Sequence, residues 1–149
     1  MTLIVTPGLV LSGALIGVLT GILIGVVTMI SDIIFYSRNP SDLKFGRKYS
    51  SPAVQFGVFL LINLLYGALH GVIFSLLLPF LPTGWFLRGL IFGVGIYLIL
   101  SRTFAEQFAY MSADYFPRHL SVYLTAEFVV IYVLQGLLIS AGMLLLAGV

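Results

Sequence analysis

The side chain best suited to chemistry in this chain is His70, which lies in the middle of a long apolar stretch. Asn63 and Tyr66 precede it at spacings that place all three on one side of a helix. A polar group in hydrocarbon costs free energy unless it is paired, so this polar stripe should face the interior of a helix bundle. The stripe would then serve either as a proton relay or ligand contact, or as a structural pairing in which neutral His70 bonds to Gln135. The structural pairing is the simpler interpretation.

The chain offers little else to hold a metal or a cofactor. No second ligand accompanies His70 three or four residues away, and the other histidine, His119, lies at a different depth. The absence of cysteine excludes disulfides, iron–sulfur clusters and thiolate zinc sites. The sequence contains no GxxxxGK[ST], HExxH or GxSxG motif. We therefore predict no catalytic, metal or cofactor-binding residue and a protein that is not an enzyme.

Three charged residues form a second candidate site. Asp32, Arg102 and Glu127 fall at comparable depths near the ends of three apolar segments. Each side chain could reach the headgroup layer independently. Alternatively, Arg102 pairs with one or both carboxylates and locks the bundle. A coupled proton or cation site is a weaker third interpretation.

Composition identifies the solvent of these residues. Charged residues make up 8% of the 149 and hydrophobic residues 60%, whereas soluble domains average about 25% and 45–50%. Such a chain has too few polar side chains to cover the surface of a soluble protein. Stretches of about 20 apolar residues instead span a bilayer as helices. The net charge is +2, and the basic residues lie between the apolar stretches. This position indicates that they set the membrane topology and contact lipid headgroups and do not bind nucleic acid.

Four apolar segments predict an all-α, four-helix transmembrane bundle in a single domain. We expect helices at residues 8–36, 53–80, 85–101 and 121–147, bounded by Pro7, Pro52, Pro117 and the turn at residues 81–84. The segments are too long for transmembrane strands. In segment 103–117, aromatic residues and Met111 recur at helical spacing. This pattern predicts either a helix at the membrane interface or a continuation of helix three.

The basic residues predict an orientation in the cell inner or plasma membrane. Loops 37–52 and 102–120 hold six of them, namely Arg38, Lys44, Arg47, Lys48, Arg102 and Arg118. The opposite side holds only Arg88. Because cytoplasmic loops carry the excess of Lys and Arg, both loops should be cytoplasmic and both termini outside.

Helix one carries a glycine zipper, the stripe Gly13, Gly17, Gly21 and Gly25. Helices in lipid associate where small residues let their backbones approach, so this stripe marks a close contact. The contact lies either within a monomeric bundle or in a homo-oligomer or a complex with a larger partner.

A weak internal repeat relates the two halves of the chain. Helix one matches helix three at an offset of 70 residues, and helix two matches helix four at an offset of 72, which aligns Asn63 with Gln135. Duplication of a helical hairpin would explain the match. The alternative is a chance match, because a few apolar residue types make up most of the chain.

One part of the chain resembles a known family. The runs YGALHG from Tyr66, LP at Leu78 and WFLRGLIFG from Trp85 are similar to a family of small bacterial four-span membrane proteins of unknown function. The resemblance covers Tyr66–Ser101 only. It implies the four-helix fold and draws attention to His70 and Arg88, but it carries no activity.

These observations predict an accessory or structural subunit of a membrane complex, surrounded by the lipid bilayer. The alternative is a small oligomeric transporter or channel that uses the polar stripe at Asn63 and His70. An enzyme fits least, since no catalytic set is visible.

Overall fold

A computed structural model of the protein describes residues 4–36, 52–112 and 118–149. Within these ranges the chain is all-helical and contains no strand. The α-helices are α1 (Pro7–Tyr36), α2 (Pro52–Leu77), α3 (Trp85–Ser112) and α4 (Arg118–Ala147), and a short 3-10 helix, Leu78–Phe80, follows α2.

Local sequence explains where the helices begin and end. Both α1 and α2 begin at a proline, which suits the first helical position because its missing N–H needs no partner there. Thr6 caps α1, as its Oγ1 accepts a hydrogen bond from the Leu9 N–H at 3.2 Å. Gly84, just before α3, has a φ of 125° that only glycine adopts without strain.

Helix α3 is longer than the sequence analysis predicted, since it continues past residue 101 to Ser112. Segment 102–112 contains no proline or glycine, and its helical spacing of aromatic residues gives the helix no reason to stop. Of the two interpretations of this segment, the structure agrees with a continuation of helix three. Residues 113–117 lie outside the described part.

Two other predicted boundaries need smaller corrections. Helix α4 begins at Arg118, directly after Pro117, and not at residue 121. Helix α2 ends at Leu77, and the predicted last turn is a 3-10 helix with Pro79 in it. Proline lacks the N–H that an α-helical turn requires, which accounts for the tighter turn.

Three helical stretches of the described chain are long and apolar enough to cross a membrane. They are Pro7–Val27, Leu60–Phe80 and Val129–Ala147. In α3 the described apolar stretch is shorter, Trp85–Ile96.

The helices pack as two hairpins, α1 with α2 and α3 with α4, and α1 also contacts α4. Side chains from all four helices form the core, namely Ile16, Phe74, Leu78, Phe92, Ile139 and Met143. The rings of Phe74 and Phe92 meet edge to face, with their centroids 5.0 Å apart. This contact joins α2 to α3 across the hairpins.

The glycines of α1 pack inside the bundle. A Cβ added at Gly17 would collide with the backbone carbonyl of Gly67, and one added at Gly67 would collide with that of Gly17. Gly13 and Gly21 are equally close to the α2 backbone, and Gly25 lies against the side chain of Asn63. The stripe therefore serves the α1–α2 contact, where glycine alone permits this separation.

The second hairpin has a glycine crossing of the same kind. Gly89 faces the carbonyl of Gly136, and Gly93 faces that of Tyr132. Glycines therefore allow a close backbone approach in both hairpins. The internal repeat of the sequence stays a prediction.

Candidate functional site

The candidate site is a polar cluster between α2 and α4, centred on His70. His70 is only 3% exposed, and its Nδ1 lies 2.9 Å from Oε1 of Gln135. This is the pairing expected from the sequence. Since a carbonyl oxygen only accepts, this contact requires a proton on Nδ1.

Two tyrosines flank the imidazole. The Tyr66 ring lies 6.1 Å from the His70 ring at an interplanar angle of 52°. The Tyr132 ring meets His70 edge to face at 6.0 Å and 72°, an arrangement that aromatic quadrupoles favour. Sequence analysis missed Tyr132, although it precedes Gln135 by three residues and so shares its face of α4.

Asn63 also contacts α1. Its side chain lies against Gly25, with Asn63 Cγ 3.4 Å from the position that a Cβ at Gly25 would take. His70 pairs with α4. The two residues are seven apart, about 10 Å along the axis of α2. Helix α1 packs against α2 at both depths, since Gly67 and Gly71 face Gly17 and Gly13. The polar stripe therefore contacts two neighbouring helices.

The other buried polar side chains also bond within the bundle. The contacts are Thr20 Oγ1 to Gly17 O at 2.9 Å, Ser75 Oγ to Gly71 O at 2.9 Å and to Leu9 O at 3.3 Å, and Ser140 Oγ to Trp85 O at 2.7 Å. The bonds of Ser75 and Ser140 to other helices link α2 to α1 and α4 to α3. Hydrogen bonds of this kind hold transmembrane helices together at modest energy.

A lateral groove of about 380 Å³ separates α2 from α3. Aliphatic side chains line most of it, among them Leu69, Ile73, Ile91 and Ile96. His70 and Tyr66 lie in its wall at the end away from the α2–α3 turn. The site thus borders a cavity that opens sideways between two helices.

Arg88 lies at the other end of α3, near the turn. Its Nε donates a hydrogen bond to the carbonyl oxygen of Pro82 at 3.1 Å. This contact positions the guanidinium over the α2–α3 turn, where the sequence analysis had noted the residue without assigning it a role.

The second candidate site stays a prediction. Asp32, Arg102 and Glu127 lie on α1, α3 and α4, but their side chains are outside the described part of the structure. Among the described residues, no three His, Cys, Asp or Glu side chains are grouped so as to hold a metal ion.

Comparison with known proteins adds no relative. No protein-family model matches the chain, and neither a curated protein nor a solved structure matches it. The resemblance over Tyr66–Ser101 therefore remains a prediction, and any functional argument must come from the geometry.

Proposed function

We propose that the protein is a four-span membrane protein and an accessory or structural subunit of a larger membrane complex. The third apolar segment, residues 85–101, supports the fourth span. Its 17 residues extend about 26 Å at 1.5 Å per residue, which is close to a hydrocarbon core of about 30 Å.

The basic residues support an orientation in the inner or plasma membrane. The α2–α3 turn carries Arg88 alone, whereas the opposite ends of the helices and loop 37–52 carry the other Lys and Arg residues. The positive-inside rule then assigns that opposite side to the cytoplasm and both termini to the outside. The bond from Ser75 to the Leu9 carbonyl is compatible with this arrangement, since it joins the start of α1 to the end of α2.

The observation that carries the proposal is the pairing of the polar interior. Each of the five buried polar side chains in the described part has a hydrogen-bond partner within the bundle. These contacts bind helix to helix or to the local backbone, so they favour a rigid scaffold over a solute path. Solute transport would require some of these groups to exchange protein partners for solute.

The outer surface fits the same role. Leu11, Leu15 and Leu19 of α1 are 63%, 59% and 61% exposed and recur every four residues on the side away from the glycines. Such side chains cost nothing in lipid, and they can pack against a helix of another protein.

The transporter interpretation has less support from this geometry. A path lined by Asn63 and His70 would need both side chains to face one common space. Asn63 lies against α1 and His70 bonds to α4, so the two side chains contact different helices.

Native mass spectrometry of the protein released gently from its host membrane tests the proposal. An accessory subunit should appear at fixed stoichiometry with a larger protein. A monomer or homo-oligomer alone would contradict the proposal and favour the transporter.

A His70→Gln variant adds a second readout. Glutamine keeps a hydrogen-bonding side chain but cannot relay a proton as imidazole does. In proteoliposomes, an accessory subunit should give no proton or cation flux above the lipid background, with or without the substitution. Flux that His70→Gln abolishes in a folded protein would refute the accessory role.

A further inference from the structure

The groove between α2 and α3 has the dimensions of a lipid chain. Its α2 wall runs from Tyr66 to Leu77, which is about 16 Å at 1.5 Å per residue and so about half of a 30 Å hydrocarbon core. A volume of about 380 Å³ over that length gives a mean width of about 5 Å for the centres of spheres of 1.4 Å radius, and so about 8 Å between the walls. An α-helix with its side chains is about 10–12 Å across. The groove is therefore too narrow for a helix and wide enough for one hydrocarbon chain.

A cation lies at the mouth of this groove. Ile91, Gly95 and Ile99 line it at spacings of four residues, and Arg88 precedes Ile91 by three, so it lies one turn above them on the same face of α3. Its Nε bond to Pro82 O holds the guanidinium beside Leu81, which lines the groove at the turn. The guanidinium has four further N–H donors, in a geometry that suits a phosphate.

We propose that this groove binds one acyl chain of an anionic phospholipid from the leaflet on the side of the α2–α3 turn, with the lipid phosphate on Arg88. The apolar lining receives the chain over the depth of one leaflet. A phosphate forms charge-assisted hydrogen bonds with guanidinium in any phospholipid. The arginine favours a net negative headgroup, because a zwitterionic headgroup also carries a cation that repels the guanidinium. The lipid would fill the space between the two hairpins, where α2 and α3 have few backbone contacts.

Substitutions at two positions, Gly95 and Arg88, test the binding of the acyl chain separately from the binding of the headgroup. A Cβ at Gly95 would meet no atom within 4 Å, so Gly95→Leu should fill the groove without disturbing the helices. Gly57 of α2 also has open space around its Cβ position and does not line the groove, so Gly57→Leu is the matched control. Arg88→Gln removes the charge, and Arg88→Lys keeps it.

The measurement is native mass spectrometry of the full-length protein in detergent with equal amounts of phosphatidylglycerol and phosphatidylcholine. The natural sequence and Gly57→Leu should retain one phospholipid, with phosphatidylglycerol favoured about fivefold, the factor expected for one basic residue at a membrane surface. Arg88→Gln should lose that preference, and Arg88→Lys should restore most of it. Gly95→Leu should retain neither lipid.

Two results would overturn the proposal. One is an unchanged headgroup preference in Arg88→Gln. The other is lipid retention by Gly95→Leu equal to that of Gly57→Leu, which would place the lipid elsewhere. Helicity and melting temperature are measured for each variant, and if Gly95→Leu fails to fold, the two Arg88 variants decide the result.

This experiment is independent of the proposed accessory role. It measures phospholipid bound to the isolated protein, whereas the accessory role is tested by whether a protein partner from the host membrane stays bound. Failure of one therefore leaves the other standing.

Discussion

The close approach of α1 and α2 makes Gly67→Ala the most informative single substitution. The new Cβ would collide with the carbonyl oxygen of Gly17 and would lie 2.9 Å from the Cα of Gly21. Both neighbours are backbone atoms, which cannot rotate away as a side chain does. The helices must therefore separate by about 1 Å, which forfeits a quarter to a half of each affected dispersion contact.

The magnitude follows from two opposing effects. Inserting a methyl group into a tightly packed interface costs about 1–3 kcal/mol. Replacing glycine by alanine within a helix returns about 0.5–1 kcal/mol. We expect Gly67→Ala to lower the free energy of unfolding by about 1 kcal/mol net, with the clash partly masked by the gain in helix propensity.

A matched control removes that masking. Gly57 lies in the same helix with open space around its Cβ position, so Gly57→Ala should show the gain alone. The difference between the two variants then isolates the clash, about 1–3 kcal/mol. Unfolding in mixed micelles, followed by circular dichroism as sodium dodecyl sulfate is added, gives both values. If Gly67→Ala proved as stable as Gly57→Ala, the α1–α2 contact described above would be wrong.

Three further substitutions test other contacts. Removing the His70–Gln135 bond in a double-mutant cycle with leucine at each position should give a coupling free energy of about 0.6 kcal/mol and at most about 1.7 kcal/mol, the mean and the maximum found for hydrogen bonds within membranes; a coupling near zero in the same unfolding assay would mean that the pair is not formed. Ser140→Ala should cost about 0.6 kcal/mol through loss of the bond to the Trp85 carbonyl, and an unchanged unfolding midpoint would contradict that assignment. Gly136→Ala should lower stability as much as the equivalent change in the first hairpin, since its Cβ would lie 2.7 Å from the backbone N of Gly93; a neutral effect on the unfolding midpoint would contradict the second glycine crossing.

Much of the helical architecture could be read from local sequence. The starts of α1, α2 and α3 fall within one residue of the predictions, because proline and glycine act on the residues beside them. For α3 the sequence left two alternatives beyond residue 101, an interfacial helix or a continuation of helix three, and the structure agrees with the continuation to Ser112. Falling hydropathy reports a change of solvent and does not end a helix, and residues 102–112 contain no proline or glycine.

The candidate site was predictable in part. Gln135 was expected to pair with His70 because few polar groups lie at the same depth in the apolar segments. The contacts of His70 with Tyr132 and of Asn63 with Gly25 could not be foreseen, since both depend on which helix lies against each side of α2. Periodicity gives the face of a residue on its own helix, but not the neighbour of that face.

By itself, the sequence determined that this protein is helical, that its solvent is lipid and that glycines mark its close contacts, because composition and spacing act through local chemistry. Only the tertiary structure decided which glycines meet, which helices pair and where a groove remains between α2 and α3. The physical reason is that lipid gives no hydrophobic drive to bring apolar faces together. Helix pairing then depends on fit between backbones, and that fit exists only once the helices are placed in three dimensions.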